Sequence, residues 1–371
     1  MKIAILTYPL NNNFGNLLQA WALKKFLTSY GDDVVVFYRK NYFSYNLYFQ
    51  NYIKSLCLKI VGRQAYLQNS PRRERIYSRN TLRFIKDEIN AQEIHSTSAL
   101  YYDLKKFDVV VVGSDQVWRP KFLGKLYRDY FLVNYRKPQS QRILSYAASL
   151  GCDVWEFQPD EEMNARKGLL GFDAISVREL NAIDFLKEHF SIESVIMPDP
   201  TLLLKASEYI ALMETWTENT GKFKSNIFCY LLDLTIQEEN LLKSYAKQRG
   251  LSISFMHSNN IDKEKSVYPD VREWLCWIRN SDLIITNSFH GTVFSLILKK
   301  SFIPIINDKR GNSRIESLLK MFGISQIVKM ITIDELVNQK AIDPVNIKNK
   351  HYLDINFRIM AHNFIVRNLS R

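Results

Sequence analysis

The stretch LIITNSFHGTVFSLIL, residues 283–298, joins two apolar segments through a short polar turn. The first segment is brief and rich in β-branched residues, as buried strands are. The second, extending to residue 300, has the length and composition of a helix that is buried over much of its surface. His290, one of six histidines in the chain, lies in the turn between them. The stretch therefore predicts a strand–turn–helix unit with polar groups at the end of the strand.

The same alternation of short apolar runs with longer helical segments extends along the whole chain. The predicted strands are residues 2–8, 32–38, 107–113, 142–148, 173–178 and 194–199, and then residues 226–232, 251–256, 282–287 and 302–307. Buried strands that alternate with helices are typical of parallel sheets covered on both faces. The predicted fold class is therefore α/β, with two Rossmann-like domains that face each other across a cleft.

The alternation restarts after an Asp-Pro step at residues 199 and 200, which indicates a boundary between domains. We expect an N-terminal domain at residues 1–205, carrying a basic and aromatic insertion at 40–90, and a C-terminal domain at 206–345. Residues 346–371 have apolar positions at helical spacing and are expected to form a closing helix.

Composition limits the classes of protein to consider. The chain has 371 residues, of which 46% are hydrophobic and 24% charged, as in ordinary globular proteins. Its four cysteines are far apart and match neither a disulfide framework nor a metal-binding motif. No run approaches the roughly 18 apolar residues of a membrane span, and the N-terminal apolar run is too short for a signal peptide. We expect a soluble cytoplasmic protein without a metal site.

The net charge of +12 has its densest contribution in the insertion, where Arg72, Arg75, Arg79 and Arg83 recur at helical spacing. Such a row is either a solvated helix face or a surface that meets phospholipid headgroups or a lipid diphosphate. The dense aromatic run at 37–54 is either a sugar-stacking or interfacial flap, or packing under a long connection. No nucleic-acid-binding module is present.

Two polar loops follow predicted strands of the first domain. After the first strand, Asn13, Gly15 and Asn16 lead into a helix whose N-terminal amides favour an anion or a sugar hydroxyl. A turn with a helix cap is the alternative. The loop does not match GxGxxG, which disfavours a nicotinamide or flavin enzyme. After the four-valine strand, Asp115 and Gln116 are candidates to bind a substrate hydroxyl, with a helix-cap role as the alternative.

Cationic and polar residues follow other strands. Arg178 ends a predicted strand and could bind a carboxylate or phosphate in a bidentate manner, or else pair with Glu179 or a neighbouring acid. His290 precedes the predicted helix at Gly291, where it could donate a hydrogen bond to a phosphate or exchange a proton. A basic cluster at 309–314 follows the last predicted strand. Together these residues predict an anion-binding cleft between the domains.

Seven of these motifs, in order, resemble the polysaccharide pyruvyl transferase family. They are NNFGNLLQAWALKKFL at 12–27, FDVVVVGSDQVW at 107–118, SYAASLG at 145–151, ISVRE at 175–179, PDPTLLL at 198–204, ITNSFHGTVFSLIL at 285–298 and SRIESLL at 313–319. The resemblance implies the GT-B glycosyltransferase architecture. It also implies transfer of a pyruvyl group from phosphoenolpyruvate to sugar hydroxyls, with release of phosphate.

The resemblance further implies roles for individual residues. His290 matches the histidine of the family's S-x-H-G motif and is expected to be catalytic, together with Asp115. The expected donor-binding residues are Arg178, Ser288, Gly291, Thr292, Arg310 and Arg314, and the expected acceptor-binding residues are Asn13, Gly15, Asn16 and Gln116. Phe289 departs from the basic residues that some members carry, so Arg310 or Arg314 is expected to supply that phosphate contact. No metal and no cofactor beyond phosphoenolpyruvate as co-substrate are expected.

The expected partners are phosphoenolpyruvate and a glycan or lipid-linked saccharide acceptor, as in exopolysaccharide, capsule or cell-wall glycan biosynthesis. Nucleic acid is not an expected partner, peripheral contact with the inner membrane face is an open alternative, and the oligomeric state is left open. Two other functions are considered: a GT-B glycosyltransferase that uses a nucleotide sugar, and a non-catalytic subunit in glycan assembly. No acidic residue stands at a recognisable ribose-binding position, and both His290 and Arg178 are present, which disfavours these two alternatives.

Overall fold

The structure is a computed structural model that describes residues 1–39, 71–216, 223–256, 267–338 and 356–369. Most of the predicted aromatic run, and the part of the predicted insertion at 40–70, lie outside these described residues. Phe37 and Tyr38 of that run belong to a strand and are buried.

Seven strands form the first sheet, and all of its pairings are parallel. They are β1 (Lys2–Thr7), β2 (Asp33–Arg39), β3 (Ala91–Ile94), β4 (Val109–Asp115), β5 (Arg142–Ala148), β6 (Ser176–Val177) and β7 (Val195–Ile196). Their spatial order is β3-β2-β1-β4-β5-β6-β7. The direction in which the chain progresses across the sheet therefore reverses between β1 and β4.

A second parallel sheet follows along the chain. Its strands are β8 (Ile227–Tyr230), β9 (Ile253–Phe255), β10 (Leu283–Thr286) and β11 (Ser301–Pro304). The spatial order is β11-β10-β8-β9. The paired strands β8 and β10 are therefore central, with β9 on the far side of β8 and β11 on the far side of β10. In open parallel sheets, ligands bind beyond the carboxyl ends of the strands at such reversals.

Helices connect the strands within the described residues. They are α1 (Phe14–Leu27), α2 (Pro71–Tyr77), α3 (Arg79–Phe84), α4 (Thr97–Leu104), α5 (Pro120–Leu123), α6 (Tyr127–Tyr130), α7 (Pro159–Leu169), α8 (Leu180–Phe190), α9 (Ala206–Glu214), α10 (Ile236–Gln248), α11 (Val271–Asn280), α12 (Phe289–Ile297), α13 (Ser313–Met321), α14 (Ile333–Asn338) and α15 (Phe357–Leu369). Ile85–Ile89 form a π-helix, and Gly124–Leu126 and Pro200–Leu203 form 3₁₀-helices.

The first helix, α1, packs between the two sheets and joins their cores. Its N-cap residue Asn13 accepts a hydrogen bond from the backbone N–H of Asn16, and most of the helix surface is buried. Phe14 stacks on Trp274 with 5.5 Å between ring centroids, and it also contacts Tyr230 of β8. Burial of one such side chain stabilises a fold by about 1.5–3 kcal/mol. The carboxyl ends of the two sheets therefore meet across a packed apolar seam.

The two parallel sheets confirm the α/β prediction, and α15 confirms a C-terminal helix. Phe364 of α15 packs on Tyr146 of β5, while Phe357 packs on Phe322. The edge strand β3 escaped the sequence prediction because its sequence, AQEI, is mostly polar and half exposed. The domain boundary at residue 205 stays a prediction. Within the described parts of the chain, no helix combines the length and apolar character needed to cross a bilayer.

Candidate functional site

A cavity of about 450 Å³ opens where the carboxyl ends of the two sheets face each other. This volume is typical of a pocket for a small-molecule ligand. The cavity is lined by Tyr8, Asn11, Asn12, Asn13, Tyr77, Asp115, Gln116, Phe122, Tyr230, Leu232, Tyr268, Asn287, Ser288, Phe289, His290, Arg310 and Arg314. Polar and aromatic side chains dominate this wall, so the cavity suits a polar ligand better than an apolar one.

Behind the cavity wall, the guanidinium of Arg178 joins two carboxylates. Its Nη1 donates to Asp199 at 2.8 Å, and its Nη2 donates to Asp115 at 3.1 Å. The side chain of Arg178 is only 1% exposed, and its guanidinium lies 4.5 Å from the centre of the Phe289 ring. Asp115 adopts a left-handed backbone conformation with φ of 67°, which Asp tolerates better than most residues. Arg178 therefore fixes the position of Asp115 from inside the protein.

Asp199 connects this ion pair to His290. Its Oδ1 accepts hydrogen bonds from the backbone N–H and the hydroxyl of Thr201, at 3.0 and 2.6 Å. Its Oδ2 lies 3.5 Å from Nε2 of His290. Burial alone would raise the pKa of the Asp199 carboxyl, but the adjacent His290 and Arg178 hold that pKa well below its usual range. An ionised Asp199 favours a hydrogen on Nε2 of His290.

The other side of the His290 ring packs against the start of α1. A Cβ atom on Gly15 would overlap Cγ and Nδ1 of the ring, so only glycine fits at this position. His290 is 6% exposed, and its Nε2 has no hydrogen-bond partner among the described residues. The imidazole is therefore held between Gly15 and Asp199 while the residue lines the cavity.

Backbone hydrogen bonds shape the turn that carries His290. Helix α12 begins at Phe289, two residues before the start that the sequence suggested, because Ser288 is its N-cap and accepts from the N–H of Gly291 at 3.3 Å. Asn287 bridges the adjacent loop through paired hydrogen bonds with the backbone of Leu232. A Cβ atom on Gly291 would overlap Thr286. His290 therefore lies in the first turn of α12, not ahead of the helix.

Two arginines of the predicted basic cluster line the cavity, but their charges are balanced differently. Arg310 forms a two-bond ion pair with Asp233, with Nη2 donating at 2.9 Å. Arg314 donates to the backbone oxygen of Arg310 at 3.3 Å. With the Gln116 amide assigned so that its oxygen faces the guanidinium, Arg314 also donates to that oxygen at 2.9 and 3.1 Å. Among the described residues, no carboxylate pairs with Arg314. Arg314 is therefore the cavity arginine whose charge is left for a ligand.

The surroundings of Arg314 disfavour its own charge. Burial and, next, the nearby Arg178 lower the pKa of Arg314 to about 10. Arg314 belongs to helix α13, whose N-terminus is bound by Asp153 from the connection after β5. The Asp153 carboxylate accepts hydrogen bonds from the N–H groups of Asn312 and Ser313 at 2.8 and 3.0 Å. An anion that entered the cavity would restore the charge balance around Arg314.

Another part of the cavity wall is aromatic and carries amide groups. Tyr77 and Tyr268 pack edge to face with 5.5 Å between ring centroids, and Tyr268 also packs on Phe14. The side-chain amide of Asn12 donates to Ser78 at 2.8 Å, which ties this wall to the helices α2 and α3. Aromatic faces combined with amides are suited to a sugar ring and its hydroxyls.

The structure brings most, but not all, of the predicted site residues to the cavity wall. Those on the wall are His290, Asp115, Ser288, Arg310, Arg314, Asn13 and Gln116. Arg178 and Gly15 lie directly behind the wall. Gly291 and Thr292 are buried in α12, and the amide of Asn16 donates to the backbone of Pro9 at 2.9 Å. Arg178 forms ion pairs with neighbouring acids, which was one of the two predicted alternatives. Glu179 is not one of these acids, because its carboxylate accepts hydrogen bonds from Ser149 and from the N–H groups of Leu150 and Gly151.

Sequence reasoning missed Asp199 as part of this arrangement. The residue stands in the PDPTLLL motif directly after β7, which is the position where parallel strands deliver functional side chains. Its two charged partners, Arg178 and His290, are 21 and 91 positions away in the sequence. No local sequence pattern therefore reveals the cluster. Within the described ranges, no group of three or more His, Cys, Asp or Glu residues is arranged to hold a metal ion.

Comparisons with known proteins agree with this geometry. S. aureus MnaA in complex with UDP has a TM-score of 0.54 at 14% identity, over 100% of this chain and 98% of that chain. UDP-GlcNAc 2-epimerase from Neisseria meningitidis bound to UDP-GlcNAc has a TM-score of 0.50 at 12% identity, over 99% of this chain and 100% of that one. At such identities, the likeness shows the fold alone: two Rossmann-like domains facing across a cleft, as in GT-B proteins.

A search of curated protein sequences finds no significant match. In contrast, the family model described as polysaccharide pyruvyl transferase matches residues 13–309, well over half of the chain. The matched region includes every strand of the two sheets except β1, and every predicted site residue except Arg310 and Arg314, which follow its end by a few positions. The chain therefore belongs to the polysaccharide pyruvyl transferase family.

Proposed function

We propose that this protein transfers the pyruvyl group of phosphoenolpyruvate to two hydroxyls of a glycan, forming a cyclic pyruvate ketal and releasing phosphate. One observation carries the proposal: His290 and Arg314 both line the cavity, and Arg314 is a cation with no carboxylate partner among the described residues. Phosphoenolpyruvate has a phosphate and a carboxylate, so it needs both a fixed cation and a proton donor near its enol carbon.

The donor is bound, in this proposal, chiefly by Arg314. Its guanidinium offers bidentate hydrogen bonds to a phosphate or carboxylate, and Gln116 and the backbone of Arg310 fix its orientation. Arg178 contributes by positioning Asp115 and Asp199 rather than by touching the donor, because both ends of its guanidinium already bind carboxylates. Arg310 is a secondary contact, since Asp233 already balances its charge.

The proposed reaction uses no cofactor. His290 gives a proton to the enol CH₂ carbon, which becomes a methyl group and leaves the adjacent carbon electron-poor. One glycan hydroxyl attacks that carbon and loses its proton to Asp115. A second hydroxyl then forms the other C–O bond as the C–O bond to phosphate breaks. One hydroxyl proton restores the donor acid, and the other leaves with phosphate, so that atoms and charges balance.

The acceptor is placed, in this proposal, on the aromatic and amide wall formed by Tyr77, Tyr268 and Asn13. A pyranose ring stacked there would direct two of its hydroxyls toward Asp115. This placement fits a glycan acceptor, which is the acceptor class that the family description supports. We propose that the acceptor is a glycan or glycan precursor of the cell surface.

The test is phosphate release from phosphoenolpyruvate in the presence of a panel of cell-surface glycans and lipid-linked saccharides. We expect release to require a glycan and to yield a new ketal methyl signal in the product by NMR. His290→Ala should keep the fold but lower the turnover number by about 10²–10⁴-fold, the usual loss of a general acid. Retained turnover in His290→Ala would refute the role of His290. Turnover of a UDP-sugar instead of phosphoenolpyruvate would refute the proposal as a whole.

A further inference from the structure

Helices α2 and α3 form an amphipathic segment at the rim of the cavity. Their inner face is buried and includes Tyr77, Thr81 and Phe84, each no more than 2% exposed. Tyr77 reaches the cavity wall, and Asn80 donates to the backbone oxygen of Tyr268, which packs on Tyr77, at 2.9 Å. The segment is therefore fixed to the body of the protein next to the cavity.

The outer face of the same segment combines cations with exposed apolar side chains. Arg72, Arg75 and Arg79 are exposed at helical spacing. Ile76 and Leu82 of the same segment are 51% and 37% exposed. Residues 72–86 contain six Arg and Lys residues but only one acid, Glu74. This face is called the basic face below.

The charges of the basic face are not balanced locally. Within the parts of the chain that the structure describes, Arg72, Arg75 and Arg79 have no ion-pair partner, and Arg83 reaches Asp270 only at 3.5 Å. A solvated helix face commonly alternates cations with acids at i and i+4, whereas Glu74 is the one acid among residues 72–86. The pattern instead matches a helix that lies in a lipid interface, with cations at the headgroups and apolar side chains below them.

We propose that the basic face docks on an anionic phospholipid bilayer. Cations near such a surface each strengthen binding about fivefold, which corresponds to roughly 1 kcal/mol. Ile76 and Leu82 add an apolar contribution that a soluble polyanion could not use. Docking would place the cavity opening beside the membrane surface. If the proposed function holds, a lipid-linked saccharide could then enter past Tyr77 without leaving the bilayer.

Vesicle sedimentation tests the docking without substrate and thus independently of the proposed reaction. We expect the protein to bind vesicles that contain phosphatidylglycerol and not vesicles of pure phosphatidylcholine. The combined variant Arg72→Gln, Arg75→Gln and Arg79→Gln should bind about a hundredfold more weakly. Ile76→Ser with Leu82→Ser should weaken the binding that persists at high salt, because salt screens the charges but not the apolar contact. The unfolding midpoint of the arginine variant should not change, since these three side chains are exposed. The serine variant should lose some stability, because Ile76 and Leu82 are only 51% and 37% exposed.

The matched control removes three exposed cations elsewhere, at Lys125, Arg166 and Lys167. This control should retain vesicle binding close to that of the unaltered protein. Equal losses in both triple variants would show that only net charge matters and would overturn the proposal. The proposal would also be overturned if the unaltered protein did not bind the anionic vesicles, or if the two apolar replacements had no effect at high salt. Phosphate release with a water-soluble glycan remains a separate readout of the reaction.

Discussion

At the residue scale, the site is organised by the buried array Asp115–Arg178–Asp199–His290. Asp115 and His290 end the array at the cavity wall, while the guanidinium of Arg178 and the carboxylate of Asp199 connect them from behind it. Buried ion pairs add little net stability, but removing one member leaves an uncompensated charge. The array is therefore better explained as a means of fixing His290 and Asp115 than as a means of stabilising the fold.

The lowered pKa of Asp199 gives a prediction with a definite sign. A carboxyl whose folded-state pKa is depressed stabilises the fold above its unfolded pKa, about 4, and loses that contribution as the pH falls further. Asp199→Asn should lower the free energy of unfolding by about 3 kcal/mol at pH 7. The gap between the two proteins should begin to narrow below about pH 5, where Asp199 of the unfolded chain starts to take up its proton, and should continue to narrow as the pH falls towards the depressed pKa of the folded state. Urea unfolding at each pH measures this gap, and a gap independent of pH would show that Asp199 is not ionised in the fold.

Gly15 gives a second prediction at this scale. Gly15→Ala places a methyl group where the His290 ring now lies, so the ring must move. We expect turnover to fall at least about tenfold, since misplacement of a catalytic group by an ångström can cost a hundredfold. Gly171→Ala is the matched control, because its added Cβ would meet only a backbone oxygen at 3.3 Å. Equal turnover in the two variants would contradict the tight packing of His290 against α1.

At the element scale, the loops after β1, β4, β8 and β10 supply most of the cavity wall. In each sheet the direction in which successive strands are added reverses at these strands, between β1 and β4 and between β8 and β10. Such a reversal leaves a crevice at the carboxyl ends of the strands. Helix α13 completes the wall with Arg314. Its N-terminal amides are bound by Asp153, which lies in the connection after β5. One carboxylate thus fixes the helix that presents the uncompensated cation.

Removing that carboxylate should affect stability and donor binding together. Asp153→Ala should lower the free energy of unfolding by about 1 kcal/mol, the usual effect of losing a helix cap, and should raise the KM for phosphoenolpyruvate severalfold. Thr235→Ala is the matched control, since Thr235 caps α10 in the same way but does not line the cavity. It should show the loss of stability without the change in KM. If both variants altered KM alike, the cap at Asp153 would have no specific link to the site.

Much of this element-level arrangement could be predicted from the sequence. Short β-branched runs followed by polar residues located both sheets, and the polar residues that ended them included His290, Asp115 and Arg314. The exceptions have physical reasons. Strand β3 is polar because it lies at the sheet edge, and the start of α12 was misplaced because Ser288, not the glycine, caps it. Arg310 and Arg178 form ion pairs with Asp233 and Asp199, which are distant in the sequence. No local sequence pattern therefore shows which arginines lack a carboxylate partner.

At the scale of the whole molecule, α1 and the cavity make the two halves of the chain interdependent. Gly15 of the first half contacts His290 of the second, and Gln116 of the first contacts Arg314 of the second. Neither half alone contains a complete anion site. The fold is shared with enzymes whose structures contain UDP or UDP-GlcNAc, so the identity of the ligand that fills the cleft is the central claim.

Calorimetric titration tests that claim most directly. Phosphoenolpyruvate and UDP-GlcNAc are titrated separately into the unaltered protein and into Arg314→Gln. We predict binding of phosphoenolpyruvate to the unaltered protein and at least about tenfold weaker binding to Arg314→Gln, because charged hydrogen bonds of this kind contribute about 1.5–3 kcal/mol. UDP-GlcNAc should give no comparable heat. Tight binding of UDP-GlcNAc without any binding of phosphoenolpyruvate would contradict the assignment of the cavity to an enolpyruvyl donor.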